Sequence, residues 1–382
     1  MKTIKTGVIG TGFIGPAHVE ALRRIPNIEV AALADIDDET ARTKAQMLGI
    51  DACYGDYREL LAREDIDVVH VCTPNHLHYT MSKEALEAGK HVVCEKPLAT
   101  VSGEAEELTA LAEQKGLINA VHFNVRYYPL MSHIRQMVEK GDMGKIYSIH
   151  GSYLQDWLFY DTDYNWRLEP ELSGDSRVVA DIGSHWMDLI EYISGQKIVE
   201  VCADFATFHP IRKKPLKPVE TYSGKMLKPE DYADISIGTE DYATVMLHFE
   251  NGAHGVFTGS QVSAGRKNRI YFEMDGSRKA VSWESELPNQ IWIGNRDGGN
   301  EVLLRDPSLV YPDSRDQISF PGGHNEGFPD TSKQMFRQIY TAIREGKQAK
   351  KPLYPSFRDG LRELVLCEKI LESSKKRAWV SI

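Results

Sequence analysis

The sequence predicts two consecutive domains, an α/β domain with a doubly wound parallel sheet and an α+β domain with a large, mainly antiparallel open sheet. The first observation is the length of 382 residues, which is too long for a single ordinary domain of about 100–200 residues. The second is that short β-rich segments alternate with helical ones as far as residue 124, and the third is that strand-like segments then follow one another directly. The predicted domains are therefore residues 1–124 and 125–382.

The first domain has the alternation of strands and helices that βαβ units require. Strands are predicted at Thr6–Ile9, Val30–Ala34, Val68–Cys72, His91–Cys94 and Ile118–Phe123. Helices are predicted at Pro16–Arg24, Glu39–Leu48, Thr80–Ala88 and Glu104–Gln114, with Gly89 and Gly116 as stops. The unbroken apolar character of Val68–Cys72 indicates a strand buried on both faces, so we expect helices on both sides of the sheet.

In the second domain, the sequence predicts consecutive strands followed by two helices at the C-terminal end. Strands are predicted at Ile146–Leu154, Ile198–Phe208, Ala243–Glu250, Gly255–Gln261, Ile270–Met274, Ala280–Trp283 and Gln290–Ile293. Asn251-Gly252 and Asp275-Gly276 predict type I′ hairpin turns. The Pro- and Lys-rich segment His209–Glu230 predicts a surface excursion or flexible loop. Amphipathic helices are predicted at Lys333–Arg344 and Arg358–Ser374.

Composition excludes some classes of function. The 55 acidic and 45 basic residues give a formal net charge of −10, which disfavours binding to nucleic acid or to an anionic membrane. Five cysteines without a C-x-x-C pair are typical of free thiols in a reducing compartment. No segment approaches the roughly 20 apolar residues of a spanning helix, and the first residues lack a signal-peptide pattern. We therefore expect a cytoplasmic protein.

A glycine-rich turn follows the first strand and opens the first helix. In Gly10-Thr11-Gly12-Phe13-Ile14-Gly15, the glycines allow a tight turn, close approach of backbone N–H groups to a pyrophosphate, and close packing of helix on strand. Asp35 follows the second strand, where a carboxylate can accept both ribose hydroxyls and repels a 2′-phosphate. The sequence therefore predicts a dinucleotide site that includes Phe13, Ile14 and Asp35 and prefers NAD to NADP.

Two other strands of this domain end in polar residues. The fourth runs into Thr73-Pro74-Asn75-His76-Leu77-His78, and the fifth into Glu95-Lys96-Pro97. Because ligands of open α/β sheets bind at the carboxyl ends of strands, both should face the nicotinamide half of a cofactor. Lys96 can hydrogen-bond a substrate hydroxyl and stabilise an alkoxide, or it is an ordinary surface lysine.

A second polar cluster, Asp181-Ile182-Gly183-Ser184-His185, precedes a segment of helical period. Ser184 is a good N-cap, which places His185 in the first turn. The helix dipole disfavours protonation there, so His185 should be the neutral imidazole that a general base requires, oriented by Asp181. The alternative is that Asp181 and Asp188 cap and pack around a satisfied histidine.

A zinc site is a further alternative for these side chains. His76, His78, Asp181 and His185 offer imidazole and carboxylate ligands. Their spacing is not that of a recognised zinc motif, and no cysteine cluster accompanies them. We therefore expect no metal.

Mixed aromatic and polar residues in the second domain predict contacts with a carbohydrate, because sugars stack on aromatic rings while polar groups bind their hydroxyls. The candidates are Gln155, Trp157, Trp166 and Arg167, with His324 on a second polar loop, His324-Asn325-Glu326. Each segment could instead be an ordinary surface loop.

In combination, six motifs resemble the Gfo/Idh/MocA family of NAD(P)-dependent sugar and polyol dehydrogenases. They are Gly10-x-Gly12-x-x-Gly15, Thr73-Pro74-Asn75-His76-x-His78, Glu95-Lys96-Pro97, Asn124-x-Arg126-Tyr127-Tyr128-Pro129, Trp166-Arg167 and Asp181-x-Gly183-x-His185-x-x-Asp188. The resemblance implies a Rossmann dinucleotide-binding domain over residues 1–124. It also implies a substrate-binding domain over 125–382 whose open sheet is often an oligomer interface.

By position, the resemblance implies that Lys96, Asp181 and His185 form the catalytic trio. It implies cofactor contacts by Thr73, Asn75, His78, Glu95, Lys96, Asn124 and Arg126, and substrate contacts by Lys96, Arg126, Asp181 and His185. The family usually has Gly-Gly-Gly before D-x-G-x-H, whereas this chain has Ser173-Gly174-Asp175-Ser176-Arg177, so substrate specificity stays open. The segment 323–327 resembles members that act on pyranoses or glycosides, including levoglucosan-type enzymes.

The expected function is reversible hydride transfer between a secondary alcohol of a cyclic sugar, glycoside or inositol-like polyol and NAD, by a homo-oligomer of two or four chains. One alternative is a tightly bound NAD that is recycled in glycoside hydrolysis or in sugar–sugar oxidoreduction. Another is a non-catalytic, NAD-binding regulator.

Overall fold

Residues 3–216, 229–346, 349 and 352–382 are described by a computed structural model, and they group into two units. The first comprises Met1–Tyr127 and Phe328–Leu364, and the second Tyr128–Gly327 and Val365–Ile382. The sequence predicts a single division after residue 124. The structure also divides the chain after residue 127, but it groups residues 328–364 with the first unit.

The first unit contains a six-stranded parallel sheet. Its strands are β1 (Ile4–Ile9), β2 (Ile28–Ala34), β3 (Cys53–Tyr54), β4 (Val68–Val71), β5 (His91–Cys94) and β6 (Asn119–Val121). The intervening helices are α1 (Ile14–Arg23), α2 (Asp38–Leu48), α3 (Tyr57–Leu61), α4 (Asn75–Glu87) and α5 (Ser102–Lys115). The order β3-β2-β1-β4-β5-β6 reverses between β1 and β4, which confirms the predicted doubly wound fold.

Burial on both faces explains the apolar β4. Val69 and Val71 pack into one hydrophobic cluster, while Val68 packs into another on the opposite face. Phe336 and Tyr340, from the returning segment 328–364, complete the second cluster. The short β3 and α3 were not predicted, because two and five residues are too few to show a period.

The second unit contains a nine-stranded, mainly antiparallel sheet, as predicted. In chain order its elements are α6 (Met131–Glu139), β7 (Ile146–Leu154), α7 (Pro170–Ser173), α8 (Ser184–Ser194), β8 (Ile198–Ala206), β9 (Ile211–Pro215), β10 (Tyr232–Ser236), β11 (Tyr242–Phe249), β12 (His254–Ser260), β13 (Arg269–Gly276), β14 (Lys279–Glu284), β15 (Gln290–Asn295) and β16 (Glu301–Leu304). The chain ends with α9 (Phe328–Glu345), α10 (Phe357–Lys376) and β17 (Val380–Ser381). The strand order is β16-β15-β14-β13-β7-β12-β11-β8-β17, and only β7 and β12 pair in parallel.

The two faces of this sheet differ in burial. Residues that face α8 and the core are buried, including Val201, Leu247, Ile149, Met274, Val281 and Ile293. The strand registers place a row of residues that are not buried on the other face: Cys202, Met246, Val256, His150, Glu273, Ser282, Trp292 and Val302. This row defines the open face of the sheet.

Both predicted type I′ turns are wrong. Asn251 does not have a positive φ, and its side chain accepts the Ala253 N–H at 2.9 Å, which is an Asx-type turn. Asp275 and Gly276 are the last residues of β13 instead of turn residues. Gly276 is needed for a close approach, because a Cβ there would lie 2.0 Å from the Met143 carbonyl oxygen.

The predicted loop over residues 209–230 is also partly wrong, because it contains β9. This strand pairs antiparallel with β10 to form a separate two-stranded sheet. A Pro- and Lys-rich strand lacks the apolar alternation by which strands are recognised. Residues 217–228 lie outside the described residues.

Candidate active site

The glycine-rich turn lies between β1 and α1, where the backbone is crowded on one side and open on the other. Gly10 has φ +87°, and a Cβ at Gly15 would lie 2.2 Å from the Gly10 carbonyl oxygen. A Cβ at Gly12, in contrast, would meet no atom within 4 Å. The turn therefore fits a dinucleotide: two glycines permit its shape, and the third leaves its backbone accessible to a pyrophosphate.

Asp35 lies directly after β2, as predicted, and its carboxylate faces the glycine turn. Its Oδ2 accepts the Thr11 N–H at 2.8 Å and also bonds the Thr11 hydroxyl, while Oδ1 accepts the Ile36 N–H at 2.7 Å. A carboxylate at the end of β2, beside the phosphate-binding turn, is where an adenosine ribose is recognised in this fold.

The strand ends after β4 and β5 lie on the same edge of the sheet, since β4 and β5 pair in parallel. His78 is buried, and its Nδ1 and Nε2 contact the carbonyl oxygens of Pro97 at 2.7 Å and Thr73 at 2.8 Å. These contacts tie the two strand ends together and occupy both ring nitrogens, which leaves His78 no nitrogen for a metal. Lys96 is half-buried, and Asn75 begins α4.

Glu95 points into the core of the first unit. Its Oε1 accepts from His18 Nε2 at 2.8 Å and from His122 Nδ1 at 2.6 Å. Burial opposes ionisation of this carboxyl, but the two imidazoles outweigh it and hold the pKa of Glu95 well below its usual range. Burial lowers the pKa of His18 to about 4, so the His18 ring serves as a neutral N–H donor.

The same three side chains are the one group among the described residues that could hold a metal ion, with ligand atoms within 4.8 Å of one another. Each is already engaged: His18 Nδ1 lies 2.9 Å from His70 Nδ1, and His122 Nε2 lies 3.0 Å from Ser332 Oγ. A hydrogen-bonded network therefore accounts for the group. Sequence reasoning missed His18 and His122 because they are 104 positions apart and share no local motif.

Asn124 and Arg126 are both buried in the first unit. Asn124 Nδ2 donates to Thr331 Oγ1 at 2.7 Å, and Arg126 Nη2 pairs with Asp359 Oδ1 at 2.8 Å. Burial opposes the charge of Asp359, but Arg126 outweighs it and lowers the pKa of that carboxyl. Their cofactor and substrate roles stay predictions.

The predicted role of Ser184 as an N-cap is wrong. Residues Val179–Gly183 form a π-helical turn that continues into α8, and the Ser184 hydroxyl donates to the Ala180 carbonyl at 2.7 Å instead of capping. His185 is therefore not in a first turn, and the predicted dipole effect does not apply. π-turns are frequent at functional sites, but they have no sequence period by which they could be predicted.

Asp181 lies in this π-turn, and two side chains of the second unit hold it. Its Oδ2 accepts from Gln261 Nε2 at 2.9 Å, and its Oδ1 lies 3.3 Å from Arg167 Nε. The Arg167 guanidinium also lies 4.4 Å from the centre of the Trp166 ring. The structure thus brings together three predicted residues, and it adds Gln261, which sequence reasoning missed.

The remaining substrate candidates form separate groups. The Gln155 side chain is buried, donates to Asn268 Oδ1 at 2.8 Å and accepts the Trp157 indole N–H at 2.9 Å. His185 is 8% exposed, with its ring 6.4 Å from that of Tyr153. His324 is exposed on a loop, and its Nδ1 lies 3.3 Å from the Gly322 carbonyl oxygen.

Comparison with known proteins identifies the family. Residues 4–123 match the family described as "Oxidoreductase family, NAD-binding Rossmann fold", and residues 131–282 match the "GFO/IDH/MocA C-terminal domain". The chain belongs to the Gfo/Idh/MocA family. Its fold and its cofactor, NAD, are therefore those the sequence predicts.

Similar Gfo/Idh/MocA proteins match over the whole chain. Levoglucosan dehydrogenase of Pseudarthrobacter phenanthrenivorans is 28% identical, covering 100% of this chain and 99% of that protein. A solved structure of levoglucosan dehydrogenase with NADH and levoglucosan has a TM-score of 0.89 at 27% identity, covering 100% of both chains. An inositol dehydrogenase homologue of Azotobacter vinelandii with NADH and myo-inositol has a TM-score of 0.86 at 26% identity, covering 100% and 98%. This Gfo/Idh/MocA member is an NAD-dependent dehydrogenase of CH–OH groups.

Proposed function

We propose that this enzyme reversibly oxidises a secondary alcohol of a cyclic sugar, glycoside or inositol-like polyol. The observation that carries the proposal is the arrangement around Asp181, whose carboxylate is held by Gln261 and Arg167 beside the Trp166 ring. A guanidinium and an aromatic face can bind a sugar ring and its hydroxyls, and an oriented carboxylate can position the imidazole that deprotonates one of them. The names of the similar proteins, levoglucosan dehydrogenase and inositol dehydrogenase, support the same substrate class.

In this reaction, the first unit would bind the cofactor and three side chains would act on the substrate hydroxyl. The backbone of the glycine turn binds the pyrophosphate and Asp35 binds the adenosine ribose, and NAD, when bound, supplies the hydride acceptor. Lys96 hydrogen-bonds the substrate hydroxyl and stabilises the alkoxide as it develops. His185 accepts the hydroxyl proton, and Asp181 orients the imidazole.

We also propose that the enzyme is a cytoplasmic homo-oligomer, a dimer or a tetramer, assembled through the open face of the nine-stranded sheet. Met246, on the interior strand β11, and Val302, on the edge strand β16, are 46% and 57% exposed, and exposed apolar side chains on one face are typical of an interaction surface. Five free cysteines suit a reducing compartment. Among the described residues, no helix is both long enough and apolar enough to cross a membrane.

A panel of sugars and polyols with NAD tests the substrate class. Thermal-shift screening in the presence of NADH selects ligands first, because a ligand that binds only the native state raises the unfolding temperature. NADH formation is then followed by absorbance. Failure of every cyclic sugar and polyol, with another class of alcohol oxidised, would contradict the proposal.

The variant Lys96→Met tests the role of the lysine. We expect kcat to fall by at least about 100-fold, because the alkoxide loses its cationic partner, while the Kd of NADH changes little. Lys115→Met, at an exposed position in the last turn of α5, is the matched control and should keep full activity. An unaltered kcat in Lys96→Met would remove Lys96 from the mechanism.

A further inference from the structure

A buried arginine, Arg177, lies two residues before the π-turn that carries Asp181. Arg177 is 1% exposed, and its Nη2 pairs with Asp241, a carboxylate with no exposed surface. Its Nη1 lies 3.4 Å from Gln261 Oε1. Arg177 belongs to the segment 173–177, in which this chain departs from the Gly-Gly-Gly pattern, and the proposed mechanism gives it no role.

We propose that Arg177 and Gln261 are positioning residues for Asp181, and that the buried ion pair with Asp241 holds them in place. A glutamine amide can bond through its oxygen or its nitrogen. With Oε1 facing the Arg177 guanidinium, only the NH₂ group can face Asp181, and Nε2 donates to Oδ2 at 2.9 Å. The Arg177 cation thus determines that Gln261 presents a hydrogen-bond donor to Oδ2 of Asp181, while Arg167 lies beside Oδ1.

The backbone of the π-turn is held by a second buried carboxylate. Glu240 Oε1 accepts from the Ser176 hydroxyl at 2.7 Å and from the backbone N–H groups of Arg177 and Val179 at 3.0 Å each. Glu240 therefore fixes the peptide just before Asp181, while Asp241 fixes the side chain of Arg177. Breaking either contact leaves a buried group without its partner.

Asp241 also holds a second arginine, which reaches the aromatic segment predicted to bind the sugar. Arg212 of β9 has no exposed surface and pairs with Asp241 Oδ1 at 2.8 Å. Its Nη2 donates to the Leu158 carbonyl at 3.0 Å and its Nη1 to the Tyr160 carbonyl at 2.8 Å. One carboxylate therefore supports both the residue that orients the base and the loop that follows Trp157.

The two buried arginines favour the ionised form of Asp241 in the interior. Burial disfavours the ionised form of Asp241, but the neighbouring guanidinium groups outweigh that effect and its pKa lies below the usual value. Buried ion pairs contribute little to the stability of the fold. A gain in stability therefore does not explain why two arginines are buried against one carboxylate. A fixed position of the Asp181 carboxylate explains their burial better, because a displacement of about 1 Å at a reacting group can lower the reaction rate by about 100-fold.

The inference rests on the proposed function, and two variants of Gln261 test it. Gln261→Met removes the donor to Asp181 without adding charge, so we expect kcat to fall by about tenfold or more with the KM for NAD unchanged. Gln261→Glu places a carboxylate beside Asp181, which should move the acidic limb of the pH profile of kcat/KM upward by about one pH unit. Val281→Ala, in the core of the same unit on β14, is the control for lost stability and should leave the pH profile in place.

Arg177→Met and Arg212→Met separate the two halves of the network. Arg177→Met should reproduce the loss of kcat seen in Gln261→Met, whereas Arg212→Met should mainly raise the KM for the sugar. If either arginine variant fails to fold, the Gln261 variants decide the matter alone. Normal kcat and a normal pH profile in both Gln261 variants would overturn the inference.

A crystal structure of Gln261→Met separates this inference from the proposed function. We expect the Asp181 carboxylate to leave its wild-type position by about 1 Å or more, and an unmoved Asp181 would overturn the inference. If the wild-type enzyme oxidises no sugar or polyol, the proposed function fails, whereas a displaced Asp181 would still support the positioning role.

Discussion

Gly12 and Gly15 of the phosphate-binding turn have opposite surroundings, although both belong to one motif. Gly15 packs against the Gly10 carbonyl, so its missing side chain serves the fold. Gly12 faces open space, so its missing side chain serves the ligand. The surroundings of the two glycines agree with the folding role and the binding role that the motif predicts.

Substitution by alanine should separate these roles experimentally. Gly15→Ala should lower the unfolding temperature, because its Cβ would lie 2.2 Å from a carbonyl oxygen. Gly12→Ala should leave the unfolding temperature nearly unchanged and weaken NADH binding by about tenfold, since the methyl group occupies the approach of the pyrophosphate. Thermal unfolding and NADH fluorescence titration measure the two effects, and equal loss of stability in both variants would contradict this prediction.

Single motifs predicted Lys96, Asp181 and His185, but not the residues that hold them. Gln261 is 80 positions from Asp181 and 84 from Arg177. Contacts of this kind join segments that are far apart in the sequence, so no local spacing indicates them. In the sequence, Arg177 was noted only because the segment 173–177 departs from the Gly-Gly-Gly pattern of the family. Its burial shows that this departure places an arginine in the interior beside Gln261.

At the scale of elements, the predicted strands lie within a few residues of the observed ones, whereas α4 and α9 begin five residues before their predicted starts. β7 and β5 were predicted with their exact bounds. The π-turn at Val179–Gly183 and the hairpin of β9 with β10 were not predicted. Buried polar side chains hold both elements, Glu240 the π-turn and Arg212 the strand β9. Hydrophobic periodicity does not indicate such interactions.

The loop that carries His324 is also held by a buried charged side chain, Arg305. Arg305 is 2% exposed, pairs with Glu326 at 2.8 Å, and donates to the carbonyls of Phe320 at 2.7 Å and Pro321 at 2.9 Å. A loop that lacks regular hydrogen bonds of its own thus has its carbonyls satisfied by a single side chain.

Removal of Arg305 should therefore be costly. We expect Arg305→Met to lower the free energy of unfolding by about 3–5 kcal/mol, because Glu326 is left buried and uncompensated. The double variant Arg305→Met/Glu326→Leu should recover part of that loss, since it removes the stranded charge. Urea denaturation of both variants measures the effect, and a double variant less stable than Arg305→Met would contradict it.

At the scale of the whole molecule, the nine-stranded sheet has one face for the core and one that faces outward. The outward row crosses eight strands and includes Met246, Val256, Trp292 and Val302. A stable interface buries about 800 Å² on each partner, and a sheet of this width can supply it. The sequence predicted a large, mainly antiparallel sheet, but not this row, because the row depends on the registers between the strands.

A charge in this row should disrupt the proposed oligomer. Met246→Glu should shift the mass in solution toward the monomer, because like charges would meet in copies of an already acidic chain. Met47→Glu, on α2 in the first unit and 74% exposed, is the matched control and should not change the mass. Size-exclusion chromatography with light scattering measures it, and an unchanged oligomer in Met246→Glu would exclude this face as the interface.

The return of residues 328–364 to the first unit has a practical consequence for gene design. Met335, Phe336 and Tyr340 fill the hydrophobic cluster that also contains Val68 and Val93 of the parallel sheet. A fragment cut after residue 127 would leave these strands partly uncovered in water and prone to aggregate. A nucleotide-binding module could be obtained only by joining residue 127 to residue 328 through a new connection, so shuffling of this gene at a single crossover would not transfer the cofactor site intact.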